Sequence, residues 1–169
     1  HDLELLRLSC EAAEAVDELR ETLRELRSEV NDQRTFVGEA KELIVRLERR
    51  SGLSVSLVVV NPGQTLTPPV ETEMLRIMQE SLNNVEKHAK ASTVSITWNV
   101  TQGVGALTIA DNGRGFERCQ SARGNSYGLM GMRERADAIG ARINISSDLG
   151  VGTTVTVSTA DLHSKGPHT

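Results

Sequence analysis

The segment TVSITWNV, residues 93–100, places Val94, Ile96 and Trp98 on one side of an extended chain and Ser and Thr on the other. The same two-residue period recurs at Leu107 and Ile109, at Ile143 and Ile145, and at Val155 and Val157. Successive side chains of a strand point to opposite faces, so each of these segments has one apolar and one polar face. Strands of this kind build a mostly antiparallel sheet that buries one face only. The expected fold is therefore α+β, a two-layer α/β sandwich in which helices cover one side of a mixed, mostly antiparallel sheet.

The intervening segments supply the helices. Phe36, Val37, Ala40, Ile44 and Leu47 share one face of a predicted helix from about residue 34 to 50, which RRSG ends at Gly52. LSVSLVVV (53–60) reads as a further strand and NPGQTLTPP (61–69) as a loop. Thr67 before Pro68 has the form of a cap with proline at the first helical position, opening a helix that runs to Lys90. YGLMGMRERADAIGA (127–141) is a glycine-led helix, and residues 142–160 are a closing hairpin. Further upstream, Ala12, Val16, Leu19, Leu23, Leu26 and Val30 are spaced 4-3-4-3-4, a coiled-coil-like seam that calls for a partner helix rather than its own domain. The expected organisation is 1–50 as helical segments, 51–160 as the sandwich and 161–169 as a disordered tail.

Composition narrows the function. A formal charge of −4 gives no basic field for nucleic acid, and 2% aromatic residues give no base-stacking platform. Cys10 and Cys119 lack ligand spacing and read as reduced thiols. No apolar run reaches membrane-span length, so the piece itself is expected to be soluble and cytoplasmic, whether or not the full-length protein is membrane-anchored.

Two stretches carry the chemistry. On a helical wheel Met74, Met78, Leu82, Val85 and Ala89 fall in one sector of QESLNNVEKHAK and its preceding turns, while Glu80, Asn84, Lys87 and His88 fall in another. Alone, that stripe is ordinary solvated surface. DNGRGF (111–116) directly follows an alternating strand; it is either a simple Asx-turn at Asp111 or a backbone, with Gly113 and Gly115, that a ligand approaches closely. GLMGM (128–132) opens a helix with two glycines, where free N–H groups favour anions; plain turn chemistry is the alternative.

In order, these elements resemble the Bergerat ATP-binding (GHKL) fold, most closely the catalytic domain of sensor histidine kinases of the nitrate-sensor type that partner with NarL-like response regulators. The resemblance covers residues 53–160 and, more loosely, the helices at 3–50. QESLNNVEKHAKAS is similar to that family's N box, DNGRGF to its G1 box and YGLMGMRERADAIGA to its G2 region. The resemblance implies ATP and Mg²⁺ as cofactors and assigns roles residue by residue. Glu80 corresponds to the acid that polarises the attacking phosphoacceptor, and Asn84 to the Mg²⁺ ligand. Lys87 and His88 would offset triphosphate charge. Asp111 corresponds to the acceptor for the adenine amine, with Gly113 and Gly115 admitting the base. The backbone of Gly128, Leu129, Gly131 and Met132 would cradle phosphates. Thr153 corresponds to the threonine that supports Asp111 through water, with Thr154 as a substitute, and 117–126 would be a short lid. No G-x-x-x-x-G-K-[ST] is present.

The N-terminus departs from the pattern. His1-Asp2 imitates the family's phosphoacceptor pair, but the seam runs to Val30 with no hairpin turn, leaving no room for a first dimerisation helix. The expectation is that this stretch lacks its phosphoacceptor and acts on a His of its own dimerisation domain in a homodimer, then through a response-regulator Asp. Two rivals stand beside this reading: a Ser kinase of the anti-sigma-factor type, and a non-catalytic module in which nucleotide only gates helix pairing.

Overall fold

The computed structural model describes residues 35–116 and 126–159, together with Val16 and Leu19, which are helical and exposed. The rest of the expected seam, both cysteines, nearly all of the expected lid and the tail lie outside the described residues. The elements in order are α1 (Phe36–Ser51), β1 (Ser54–Val60), α2 (Pro68–Asn84), a π-helical turn (Val85–Ala89), β2 (Thr93–Thr101), β3 (Val104–Asp111), α3 (Ser126–Ala138), β4 (Ala141–Asp148) and β5 (Gly152–Thr159).

The five strands lie in the order β1-β2-β3-β5-β4. Only β1 and β2 run parallel; the other three pairings are antiparallel. Register puts Ile96, Ile109, Val155 and Ile145 in one row across the sheet, and Trp98, Leu107, Val157 and Ile143 in the next. Both rows face the helices, because the period-2 pattern is in phase on all four strands. Met74, Ile77, Met78 and Leu82 of α2, with Met132 and Ala136 of α3, cover them and are buried. The expected α+β sandwich is the observed one. Among the described residues no helix is long and apolar enough to cross a membrane.

Helix α1 is capped as its sequence requires. Thr35 Oγ1 accepts from the Gly38 N–H, and Gly52 takes a left-handed φ of 72° that returns its own N–H to the Glu48 carbonyl. Its buried face is Phe36, Ala40, Ile44 and Leu47, and the Phe36 ring stacks on Trp98 at 3.9 Å between centroids. These contacts join α1 to the sandwich: the chain divides into compact units between Arg34 and Thr35, not after residue 50. The Glu71 carboxylate strengthens the junction by accepting from the N–H groups of Phe36 and Leu66, each at 3.0 Å. It also serves the start of α2, where Thr67 makes no side-chain cap.

Candidate functional site

A cavity of about 360 Å³ opens between α2, α3 and the ends of β3 and β5. Its floor is Ile109 and Val155, and its apolar walls are Val85, Leu129 and Met132. Such a largely apolar slot with a few convergent polar groups is the usual form of a small-molecule site.

The sheet delivers two of those polar groups. Two residues beyond Ile109, Asp111 lies on the same helix-covered face of β3; two residues before Val155, Thr153 lies on that face of β5. The floor thus changes from apolar to polar at the strand ends. One Asp111 carboxylate oxygen accepts from the Gly113 N–H at 2.8 Å, an Asx-turn that fixes the side chain in the cavity wall. The Thr153 hydroxyl shares a 2.9 Å hydrogen bond with Ser147 Oγ, which also accepts from the Phe116 N–H at 2.9 Å. Ser147 therefore ties the G1-type loop to the β4–β5 hairpin. In the sequence it is one more polar residue of an alternating strand.

The helical side departs from expectation. Rather than one α-helix to Lys90, α2 stops at Asn84 and a π-helical turn carries Val85–Ala89. Tertiary contacts explain the change. The Ala89 carbonyl accepts from the Arg114 N–H at 2.7 Å, and a side chain on Gly113 would collide with that carbonyl. Arg50, from the last turn of α1, forks onto both Glu86 oxygens at 2.7 Å each. The fork holds the Glu86 carboxyl below the usual carboxylate range and the Arg50 guanidinium above its own. A wheel at 100° per residue fails beyond Asn84. Asn84 and His88 line the cavity; Glu80 and Lys87 are not part of its wall. Glu80 lies beside it, half-buried, with its carboxylate against the bare α-carbon of Gly128.

The glycines divide by what presses on them. Gly115 (φ 63°) lines the cavity, and its α-carbon packs on the Asp148 carbonyl; Gly113 packs on Ala89 and on Asp111 itself. Both admit protein backbone at close range, and Gly115 also lines the cavity where a base would approach. Gly128 meets Glu80, and Gly131 faces open space. Of the G2-type residues, Leu129 and Met132 line the cavity.

Three further lining residues escaped the sequence reading. Ser81 is buried and donates to the Ile77 carbonyl or to Met132 Sδ. Arg114 and Phe116 come from within DNGRGF, where the glycines carry the stronger sequence signal. Besides Asp111, the charged group in the wall is Arg114, and His88 is a titratable third.

Residues 69–164 match the family described as histidine kinase-, DNA gyrase B- and HSP90-like ATPase. Among curated proteins, the chain is 30% identical over 141 residues to the signal transduction histidine-protein kinase/phosphatase DegS of Brevibacillus brevis, covering 83% of this chain and 36% of that protein. It is 32% identical over 146 residues to the sensor histidine kinase LiaS of Bacillus subtilis (strain 168), covering 86% and 40%. To the oxygen sensor histidine kinase NreB of Staphylococcus carnosus it is 28% identical, covering 84% and 41%. The chain thus spans about two fifths of the length of these relatives. Solved structures with the same fold include the blue-light activated histidine kinase of Erythrobacter litoralis EL346, at 21% identity and a TM-score of 0.58, covering 71% of this chain and 40% of that one. The histidine kinase AdeS of Acinetobacter baumannii aligns with a TM-score of 0.58 at 16% identity, covering 88% and 79%.

Proposed function

Because the chain belongs to the histidine kinase-, DNA gyrase B- and HSP90-like ATPase family, we propose that it is the ATP-binding catalytic domain of a sensor histidine kinase. In the intact protein it would transfer the γ-phosphoryl group of ATP to a His on the dimerisation domain of a homodimer, and from there to an Asp of a NarL-type response regulator. The observation that carries the reading is Asp111: a carboxylate in the wall of a largely apolar slot, with one oxygen fixed by the Gly113 N–H. That arrangement suits a flat heteroaromatic ring with an exocyclic amine. Ile109, Val155, Leu129 and Met132 would sandwich the ring and keep water from it.

The phosphate end would lie toward Asn84 and His88. Mg²⁺ needs only one or two protein oxygens when phosphates and water complete its octahedron. The Asn84 carboxamide, half-buried in the cavity wall, fits that need. Bound there, the ion would neutralise phosphate charge and hold the chain of oxygens in line. The work left to the protein is positioning and electrostatics. Lys87, exposed beside His88 in sequence, would add a point charge. Glu80, outside the base slot, would accept a hydrogen bond from the attacking imidazole and raise its nucleophilicity as the P–N bond forms and the P–O bond to ADP breaks.

Asp111→Asn tests the reading directly. The amide still accepts the Gly113 N–H, so the loop survives, but the charged acceptor is gone. ADP affinity should fall about 10- to 100-fold, the worth of roughly 1.5–3 kcal/mol for a hydrogen bond to a charged group. Unchanged affinity by calorimetry would remove Asp111 from the site. Asn84→Ala should flatten the Mg²⁺ dependence of ATP binding while adenosine still binds; equal loss of both ligands would make Asn84 a structural residue.

A further inference from the structure

We propose that Arg50 is a positioning residue for the phosphate end of the site, acting through Glu86 on the π-helical turn that presents His88. The proposal rests on the ATP reading above. A π-helical turn is a rare conformation that other contacts must hold in place. Val85 is buried in the core at its start, and at its end the Ala89 carbonyl is fixed by the Arg114 N–H, with Lys90 in a left-handed φ of 51°. Between those anchors, Glu86 is the residue held from outside the turn among the described residues, by both arms of Arg50 at 2.7 Å. Lys87 and His88 follow immediately, and among the described residues no side-chain hydrogen bond or close salt bridge holds either side chain. Their placement toward a ligand therefore depends on how the neighbouring residue is held.

The geometry is of the kind that positions rather than merely attracts. Two parallel N–H···O bonds fix the plane of the carboxylate as well as its distance, which a lysine ammonium cannot do. The fork also occupies Glu86. Without it, that carboxylate would be free to draw in the adjacent Lys87 ammonium, whose charge already acts on it. Arg50 stands in the last turn of α1, so a displacement of that helix would be felt at His88 through two side chains.

The test is Mg²⁺-ATP and adenosine titration by calorimetry on the full 169-residue chain. Arg50→Ala should weaken ATP binding about 3- to 10-fold and leave adenosine unchanged. Arg50→Lys should recover only part of the loss, and the exchanged pair Arg50→Glu with Glu86→Arg most of it. In a His88→Ala background, Arg50→Ala should have no further effect. The inference is overturned if Arg50→Ala leaves the ATP affinity unchanged, if it weakens adenosine equally, or if its effect adds in full to that of His88→Ala. If the unsubstituted chain binds no ATP, the failure lies with the functional reading. If it binds and Arg50→Ala does not matter, the failure lies here alone.

Discussion

Glu80→Gln should lower autophosphorylation of the full-length protein by roughly 10²–10⁴-fold while leaving ATP affinity within a few-fold of wild type. A positioned acid–base group is worth about that factor, and it acts on the transition state more than on bound substrate. The placement of Glu80 supports the split. It lies one helical turn before Asn84 but is absent from the cavity wall, so it is near the reacting end without lining the base slot. Its carboxylate rests against Gly128, the third residue of α3, in space that any side chain there would contest. Gln preserves volume and hydrogen-bonding reach, so helix packing is untouched. If Glu80 were an ordinary exposed carboxylate paired with its i+4 neighbour, the change would be worth only a few tenths of a kcal/mol. Single-turnover phosphorylation near the wild-type rate would establish that, and would leave Asn84 and His88 as a binding stripe without a catalytic member.

The parts of the site that were legible in advance are those that depend on a local period. Alternation at Leu107 and Ile109 places Asp111 on the covered face by continuing two residues further, and alternation at Val155 and Val157 does the same for Thr153 when run backwards. Likewise, the apolar sector of α2 is buried as its wheel indicates, with Ile77 and Ser81 added by the close packing of α3. What escaped is set by contacts distant in sequence. The π-helical turn has no local signature; it follows from Arg50, 36 residues away from Glu86, and from the loop that meets Ala89. The glycines of DNGRGF were recognised as sites of close approach, but a sequence does not say what approaches. At Gly113 and Gly115 it is the carbonyls of Ala89 and Asp148. Ser147 matters for a similar reason: its hydroxyl becomes important only because the loop and the hairpin meet there.

Trp98→Ala should cost about 3–5 kcal/mol of folding free energy, the usual range for removing a buried large aromatic side chain. Trp98 is 1% exposed and lies on the covered face of β2, opposite Leu107 on the central strand β3. Part of the loss is the stacked contact with Phe36, and an aromatic pair contributes about 0.5–1.5 kcal/mol beyond area alone. The remainder is transfer of the indole to water plus the cavity left beneath α1. For a unit of this size each kcal/mol lowers the melting temperature by about 2–8 °C, so a drop of at least roughly 6 °C is expected. The damage should be confined to stability. Trp98 pairs with Leu107, four residues along β3 from Asp111, which at about 3.4 Å per residue is roughly 13 Å from the polar end of the cavity. Nucleotide affinity measured well below the melting transition should therefore stay within a few-fold of wild type, even though α1 has lost the ring that seats its first residue. A melting temperature within 2–3 °C of wild type would show that the stack does not hold α1 to the sheet. A loss of affinity at low temperature well beyond that of Arg50→Ala would show that the seating of α1 reaches the site by a route other than Arg50 and Glu86.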